Sequence, residues 1–269
     1  MLQIKVHLLV FVAVIVVTHA QSDYCAQEPC TSRGKQHIGC HNNGQFVSTC
    51  PRDAQIIKIN KKNQNLLVKI HNRLRDRFAR GAVSGYQPAA KMPMLKWNDE
   101  LAKLAEYNVR TCKFAHDQCR ATNICQYAGQ NLATMMSLPE HRDINYTIKN
   151  LTREWFWEYR WAKQSQLDKY VGGPGKDGKQ IGHFTAFVHE KSDKVGCAIA
   201  RFTNSKNFKE TLLACNYCYT NMLNERIYTS GKPCSQCHNK KCGPIYKNLC
   251  DENEPVDPTP DLLKQNRGK

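Results

Sequence analysis

Apolar residues recur at helical spacing early in the chain. The first stripe consists of Leu66, Ile70, Leu74 and Phe78, each four residues from the next. This spacing places the four side chains on one face of an α-helix. Gly81 follows the stripe, at a position where glycine commonly ends a helix. The pattern therefore predicts a helix that stops near Gly81.

Two further segments carry helical signals. Asn98 precedes Asp99 and Glu100, so it can cap a helix whose first turn is acidic. That helix would bury Leu101, Leu104 and Ala105. A third helix is predicted over residues 146–163, with one apolar side made of Ile148, Leu151, Trp155 and Tyr159.

The apolar pattern then shortens to a period of two. Three short segments are apolar and partly β-branched or aromatic: 183–190 (HFTAFVHE), 195–202 (VGCAIARF) and 211–219 (TLLACNYCY). Such segments are typical of β-strands, and residues 191–194 (KSDK) would form a tight link between the first two. Neighbouring strands of this kind predict an antiparallel sheet whose faces are covered by the helices.

The N-terminal residues predict secretion. Residues 8–17 (LLVFVAVIVV) form an unbroken apolar run between Lys5 and the small-residue segment 18–20 (THA). This order matches a signal peptide at residues 1–20. The run is too short to span a hydrocarbon core of roughly 30 Å. We therefore expect a secreted protein that starts near Gln21 and does not span a membrane.

All 14 cysteines lie beyond the signal peptide. Four of them fall within residues 233–250 (PCSQCHNKKCGPIYKNLC), where the Cys-x-x-Cys spacing suits either a zinc site or a small disulfide knot. An even number of cysteines in an oxidising compartment favours disulfides. Secretion thus favours the knot and argues against a free catalytic cysteine, although spacing alone does not give the pairing.

Charge adds a second property. The 269-residue chain has an ordinary apolar content of 41% and a formal net charge of +16. This charge predicts adhesion to anionic partners such as sulfated glycans, acidic phospholipids or, in vitro, nucleic acid. Secretion argues against nucleic acid as the natural target. A basic surface with no dedicated partner is an equal alternative.

Composition divides the chain into five parts. These are the signal peptide 1–20, a disulfide-stapled N-terminal segment 21–52, a core domain 53–222, a cysteine-rich knot 223–250 and a tail 251–269. The tail holds three prolines and mostly polar or charged residues. Such a composition predicts disorder.

Three polar residues are candidates for chemistry. His116, His183 and Glu158 could bind a divalent metal ion if they converge, because imidazole suits zinc and copper. The alternative is three separate side chains, each with its own hydrogen-bond partners. The chain contains no Gly-x-Ser-x-Gly elbow, no His-Glu-x-x-His motif and no phosphate-binding glycine loop.

Asn145 and Asn150 each begin an Asn-x-Thr sequon. In a secreted chain both are candidate glycosylation sites, and we expect at least one to be used. The same region is rich in tryptophan. Trp155 lies on the apolar stripe and is expected in the core, whereas Trp157 and Trp161 suit a pocket or an exposed patch.

Four motifs resemble those of a known superfamily. They are HNRLR at 71–75, GQN at 129–131, GHFT at 182–185 and CNYCYTN at 215–221. In this order they resemble the superfamily of cysteine-rich secretory proteins, insect antigen 5 and plant pathogenesis-related proteins. Residues 94–119 are most similar to the antigen 5 branch. The resemblance implies an α+β fold, a three-layer α-β-α sandwich with a central antiparallel sheet.

The resemblance also implies how the cysteines pair. The antigen 5 branch implies Cys25–Cys40, Cys30–Cys119, Cys50–Cys112 and Cys197–Cys215. The cysteine-rich secretory branch implies Cys125–Cys218 and a hinge held by Cys234–Cys242 and Cys237–Cys250. Together these pairs use every cysteine.

Many members of this superfamily share a cleft with two histidines and two acidic residues. By position, the resemblance assigns this cleft to His116, Gln130, Glu158 and His183. The wider superfamily has glutamate where this chain has Gln130, and a neutral amide gives a cation less electrostatic support. The resemblance therefore leaves a zinc ion at His116 and His183 as a candidate cofactor.

The resemblance implies a binding role. The motif GHFTAFVHE departs from the common GHYTQMVW at Phe184, Ala186 and His189, which weakens any case for catalysis, and no catalytic residue is assigned. Superfamily members resemble carriers of small hydrophobic ligands such as sterols, fatty acids or eicosanoids. We expect a monomer that is not an enzyme. The alternatives are a cationic effector that adheres to anionic glycans or a host protein, and, least favoured, a metal-dependent hydrolase.

Overall fold

The computed structural model describes residues 23–261 and residue 263. Its helices are α1 (Glu28–Thr31), α2 (Lys61–Ala79), α3 (Asp99–Val109), α4 (Ile144–Trp157), α5 (Gln164–Asp168) and α6 (Gly182–Phe187). Its strands are β1 (Gln55–Ile57), β2 (Lys96–Trp97), β3 (Gly129–Ser137), β4 (Lys194–Thr203) and β5 (Lys209–Tyr217). Short 3-10 turns span Tyr24–Ala26, Glu158–Arg160 and Lys176–Gly178. The predicted signal peptide lies outside the described residues.

One five-stranded sheet forms the centre of the domain. Its hydrogen-bonded order is β1-β4-β5-β3, and β2 also pairs with β4. The β1–β4, β4–β5 and β5–β3 pairs are antiparallel, whereas the two residues of β2 run parallel to β4. The predicted strands at 195–202 and 211–219 are confirmed as β4 and β5.

Side chains alternate between the two faces of this sheet. On one face, Ile199 and Leu213 join the main core together with residues of α2, α4 and α6. On the other face, Ala198, Ala200 and Ala214 form a second cluster with residues of α3. Helices therefore enclose the sheet on both sides, and the three-layer α-β-α sandwich is confirmed.

Small residues let α3 lie close to the sheet. A Cβ atom on Gly196 would lie 2.2 Å from the Ala102 nitrogen and 2.4 Å from the Asn98 oxygen. Such contacts are impossible for any side chain, so only glycine at this position of β4 allows the first turn of α3 to approach. This contact fixes the helix that precedes the loop carrying His116.

Polar caps begin the three long helices. Asn60, Asn98 and Asp143 each accept a hydrogen bond from the backbone amide three residues ahead. α2 stops before Gly81, which has a φ of 77°, as the sequence predicts. α4 begins at Ile144 and ends at Trp157, earlier than predicted, and residues 158–160 continue as a 3-10 turn.

The prediction of a strand at 183–190 is wrong. Residues 182–187 form α6, and residues 184–187 are all buried. Alternation indicates a strand only where one side faces solvent, and a short segment buried all round gives no reliable period. The link 191–194 therefore leads from α6 into β4. For a similar reason the pattern does not indicate β3, because its first five residues are all buried.

Arg75 anchors α6 to α2. Its guanidinium is fully buried and donates hydrogen bonds to four backbone carbonyls at 2.8–3.2 Å. The acceptors are the carbonyl oxygens of Pro93, Phe187, His189 and Ser192. Burial lowers the pKa of Arg75 to about 9. These bonds hold the end of α6, the helix that carries His183.

Seven disulfides use all 14 cysteines. They are the seven pairs that the family resemblance implies. Cys197–Cys215 joins opposed residues of β4 and β5, whereas Cys234–Cys242 and Cys237–Cys250 close the knot. The knot sulfurs are therefore not zinc ligands. A disulfide typically stabilises a protein by about 2–4 kcal/mol.

Residues 251–261, for which composition predicts disorder, lie against the domain. Glu254 is buried, and its carboxylate is 3.0 Å from Lys91 Nζ. Lys191 Nζ lies 3.0 Å from the buried carboxylate of Glu225 and 2.7 Å from the exposed carboxylate of Asp261. Ion pairs and hydrogen bonds hold this part of the tail, in which Pro260 is also buried. None of the helices in the described residues is long and apolar enough to cross a membrane.

Candidate binding cleft

A polar cleft of about 400 Å³ opens where α6, the start of β3 and three loops meet. Its lining includes His116, Gln130, Tyr170, His183, Thr220 and Asn221. The structure therefore brings together both histidines that the sequence singles out. Glu158 lies directly behind His183 and is 7% exposed.

The His116 half of the cleft rests on an amide. His116 Nδ1 lies 2.7 Å from Gln130 Oε1. Gln130 Nε2 donates to Asp117 Oδ2 at 2.8 Å and to Asn216 Oδ1 at 3.0 Å. Because Asn216 Nδ2 donates to the Leu101 carbonyl, Asn216 Oδ1 must accept. This fixes Gln130 Oε1 as an acceptor, so His116 carries its proton on Nδ1 and leaves Nε2 free of a proton.

Asp117 is the buried charge of this half, and sequence reasoning missed it. Its side chain is 4% exposed, and Asp117 Oδ1 lies 2.9 Å from Arg120 Nε. Asp117 Oδ2 also accepts from Asn108 Nδ2 at 3.0 Å. An acid next to the candidate histidine, three residues before an arginine, is the signal that could have found it. A glutamate in place of Gln130 would set two carboxylates in contact.

The His183 half rests on a carboxylate. His183 Nδ1 lies 2.7 Å from Glu158 Oε1, and Glu158 Oε2 accepts from the Phe184 amide at 3.0 Å. Asn131 Nδ2 donates to the His183 carbonyl at 3.1 Å. Glu158 thus binds both the ring and the backbone of the first turn of α6. His183, like His116, leaves Nε2 available.

The cleft contains two imidazoles, and each is oriented by a hydrogen bond from its Nδ1 to a side chain behind it. Metal-binding histidines commonly donate their second ring nitrogen to a carboxylate or carbonyl, as both do here. Burial lowers the pKa of His116, and the positive charge of Arg120 and proximity to His183 lower it further, against the opposing effect of the hydrogen bond that His116 donates to Gln130. His116 is therefore neutral at pH 7, the form that binds a cation.

The described residues offer no third ligand of the usual kind beside these two. The clusters of three cysteine, histidine or acidic groups that lie close together in residues 23–261 are elsewhere: Cys25, Cys40 and His41, and Cys237, Cys250 and Glu254. The cysteines of both clusters are joined in disulfides. A cation in the cleft would therefore depend on two imidazoles and on water.

A protein-family model described as "CAP: Cysteine-rich secretory protein family" matches residues 68–217, more than half of the chain. The chain belongs to this family.

Named relatives place it beside insect allergens. It is 46% identical to "Antigen 5 like allergen Cul n 1" of Culicoides nubeculosus, over 70% of this chain and 87% of that protein. It is 38% identical to "Venom allergen-1" of Aedes aegypti, over 91% of this chain and 93% of that protein. The solved structure "Crystal structure of NaASP2 with Zn2+" is 26% identical, with a TM-score of 0.57 over 75% of this chain and 100% of that chain.

The motif positions at which this family member departs from the common pattern are all buried. Phe184 packs against Phe78 and Phe156, with ring centroids 5.6 and 5.7 Å away. Ala186 lines the cleft, and His189 lies edge-on to Tyr219 with Nε2 lacking a hydrogen-bond partner. Phe184 and His189 therefore serve the core rather than the cleft.

The three tryptophans take two roles. Trp155 is 2% exposed and donates through Nε1 to the Leu132 carbonyl at 2.9 Å, so it is a core residue. Trp157 is 43% exposed and Trp161 is half-buried. The Arg160 guanidinium lies 5.5 Å from the Trp157 ring and 5.3 Å from the Trp161 ring. The two outer tryptophans thus hold a cation at the surface.

A second site lies between α2 and α4. This α2–α4 groove has a volume of about 380 Å³ and is lined by Lys62, Asn65, Leu66, Lys69, Asn145 and Lys149. Leu66 is half-buried and packs on the main core, whereas the three lysines are exposed. The groove therefore combines an aliphatic floor with three ammonium groups.

A larger cavity of about 560 Å³ lies between β1 and α3. Its charged lining is partly paired internally. Arg110 bonds Glu106 at 2.6 Å, and Asp99 accepts from Trp97 Nε1 at 2.8 Å. The lining of this cavity contains both acidic and basic side chains. Its charge therefore indicates no particular class of ligand.

Proposed function

We propose that the protein is a secreted, non-enzymatic carrier of small hydrophobic ligands that bear an acidic head group, such as fatty acids or eicosanoids. The observation that carries this proposal is the α2–α4 groove, in which three ammonium groups surround an aliphatic floor. Seven disulfides support an extracellular location, because such bonds persist in oxidising compartments.

The size and charge of the groove suit this class of ligand. Its volume of about 380 Å³ falls in the range of small-molecule sites. Lys62, Lys69 and Lys149 form no ion pair with any described residue. Lysine stems are apolar and their heads are charged. A carboxylate at the rim would pair with the heads while its chain contacts the stems and Leu66. A sterol lacks that anion, so the groove favours acids over sterols.

The test is fatty-acid binding by a triple variant, K62Q/K69Q/K149Q. Exposed ion pairs contribute about 0.2–1 kcal/mol each, and about 1.4 kcal/mol is a tenfold change in affinity. We therefore expect about tenfold weaker binding of arachidonate in calorimetry. The matched control is K206Q/K240Q/K241Q, which removes the same charge from exposed lysines outside the groove. Equal binding by both triples, or none by the parent protein, would contradict the proposal.

We also propose that the cleft holds a divalent cation such as zinc. His116 and His183 fit this role through Nε2, since Gln130 and Glu158 fix their Nδ1 protons. The structure "Crystal structure of NaASP2 with Zn2+", of a protein 26% identical to this chain, supports the choice of zinc as the cation. Neither histidine is hydrogen-bonded to a serine, threonine or cysteine in the described residues. A hydrolase therefore lacks a protein nucleophile here.

Adhesion to anionic glycans is the second candidate function. The observation in its favour is that α2, α4 and the residues at their ends carry exposed arginines and lysines. These side chains form no ion pair with any described residue. A surface of this kind attracts polyanions, and the attraction weakens steeply as salt is added. A host protein would need a complementary acidic face. We expect the protein to act as a monomer in either role.

A further inference from the structure

The C-terminal end of α4 carries a cationic pocket that neither the cleft nor the α2–α4 groove uses. This clip pocket has a volume of about 230 Å³ and is lined by residues that include Ser84, Tyr86, Tyr159, Arg160, Lys163 and Lys176. No aspartate or glutamate belongs to its lining. Arg160, Lys163 and Lys176 form no ion pair with any described residue.

Arg160 is already ordered. Its guanidinium lies 5.5 Å from the Trp157 ring and 5.3 Å from the Trp161 ring, and its Nε donates to the Trp157 carbonyl at 3.2 Å. Cation–π contacts of this kind restrain an arginine while leaving its terminal nitrogens free to donate. A ligand that binds these nitrogens loses less side-chain entropy on binding than one that must order a mobile arginine.

The walls of the clip pocket are also fixed. Tyr86 Oη donates to the carbonyls of Tyr159 and Ala162, the latter at 2.8 Å. The Lys176 amide donates to the Trp161 carbonyl at 2.8 Å. Gly175 sits so close to this carbonyl that a Cβ atom would lie 2.3 Å from the oxygen. Backbone contacts therefore bring Lys176 from a separate loop to the two cations that follow α4.

Three unpaired cations on a rigid frame call for an external anion. The lining contains no leucine, isoleucine, valine or methionine, so it offers the chain of a fatty acid less apolar contact than the α2–α4 groove, where Leu66 forms the floor. A tetrahedral oxyanion can accept from a guanidinium and two ammonium groups at once. Trp157, which is 43% exposed and lies outside the pocket lining but 5.5 Å from the Arg160 guanidinium, adds a flat apolar face next to the pocket, which suits the C–H face of a sugar ring.

We propose that the clip pocket binds a sulfate ester of a glycan chain, with the sugar against Trp157. This rests on the second proposed function and assigns it a site. Arg160 supplies the directional hydrogen bonds, and Lys163 and Lys176 supply charge from either side. A phosphate ester offers the same oxyanion, and the experiment below separates the two sources.

The test compares heparin tetrasaccharide binding by the full protein and two charge-matched triples. We expect R160Q/K163Q/K176Q to lose about tenfold in affinity and to elute from heparin at lower salt. The triple K206Q/K240Q/K241Q should lose less than threefold. W157A leaves the charge unchanged and should still lose a few-fold. Thermal unfolding of each variant verifies that it folds.

The outcomes separate the site from the function. Equal losses in both triples would overturn the clip pocket and leave glycan adhesion as a general charge effect. No heparin binding by the parent protein would overturn both. Inositol hexakisphosphate serves as the phosphate probe. If it binds through Arg160 while heparin does not, the sulfated glycan is the wrong ligand.

Discussion

The polar cleft and the α2–α4 groove differ in how their charges are satisfied. In the cleft, Asp117 pairs with Arg120, and Glu158 holds His183. In the groove, Lys62, Lys69 and Lys149 have no ion-pair partner among the described residues. When the charges of a site are paired with each other, only its unpaired atoms can bind a ligand. In the cleft these atoms are the Nε2 nitrogens of His116 and His183. A site with unpaired charges of one sign indicates a counter-charged ligand.

The largest effect is expected when both cleft histidines, and with them both free ring nitrogens, are removed. H116A/H183A should weaken zinc binding at least 100-fold in calorimetry, because these imidazoles are the protein ligands we propose. The matched double variant H41A/H238A changes two exposed histidines and should bind zinc as the parent does. Arachidonate binding should stay within twofold in both. Unchanged zinc affinity in H116A/H183A would remove the cation from the cleft.

A second variant tests whether Asp117 carries the charge of the His116 half. Q130E would place a carboxylate where Gln130 Nε2 now donates to Asp117 and Asn216. We expect the free energy of unfolding to fall by about 2 kcal/mol at pH 7, as a buried hydrogen bond becomes a repulsive contact.

The exchange D117N/Q130E restores one carboxylate and one amide to the pair. It should recover most of the lost stability in urea unfolding, and a double-mutant cycle gives the coupling between the two positions. A Q130E protein as stable as the parent would show that the two side chains do not interact as the hydrogen bonds indicate.

Acid should weaken the core that supports the cleft. Burial, together with the nearby positive charges of Lys191 and Arg75, lowers the pKa of His189 to about 3, whereas the unfolded value is about 6.5. The native state thus excludes a proton that the unfolded chain binds. The contribution is fully present above pH 6.5 and is lost as pH falls towards 3.

H189F should remove this dependence. Between pH 6 and 4 the free energy of unfolding of the parent should fall more steeply than that of the variant, by about 1.4 kcal/mol per pH unit. Urea unfolding at four pH values measures both slopes. The triple K62Q/K69Q/K149Q should keep the parent slope, since it leaves His189 and the core around it unchanged. Parallel slopes for H189F and the parent would mean that His189 titrates normally.

The smallest effect concerns glycosylation. Asn145 lines the groove and its Oδ1 accepts from Asn63 Nδ2 at 3.3 Å, whereas Asn150 does not line the groove. A glycan on Asn145 would cover the ligand site, so we expect Asn150 to carry the glycan. Enzymatic deglycosylation in water labelled with oxygen-18 converts each glycosylated asparagine to a labelled aspartate. Peptide mass spectrometry then reports the occupancy of each site. High occupancy at Asn145 in a protein that still binds arachidonate would place the ligand elsewhere.

Particular residues show where sequence patterns succeed. Leu66, Ile70 and Phe78 predict α2 because one face of that helix meets the core and the other meets solvent. β4 and β5 are short apolar runs bounded by polar turns, which is enough to indicate strands. The patterns around His116 and His183 leave open whether the two histidines meet, and only the family resemblance implies that they share a cleft. Periodicity does not predict α6, because every side chain from 184 to 187 is buried and the segment shows no polar face.

By itself, the sequence determined the start of α3, the end of α2, the two central strands, the family and the supply of cysteines, since each depends on neighbours in the chain or on residue counts. Only the tertiary structure decided that Asp117 holds Gln130, that Arg75 anchors α6, and that three lysines on two helices share one groove. The physical reason is that burial, hydrogen-bond partners and electrostatic fields are set by residues distant in sequence, which no local pattern records.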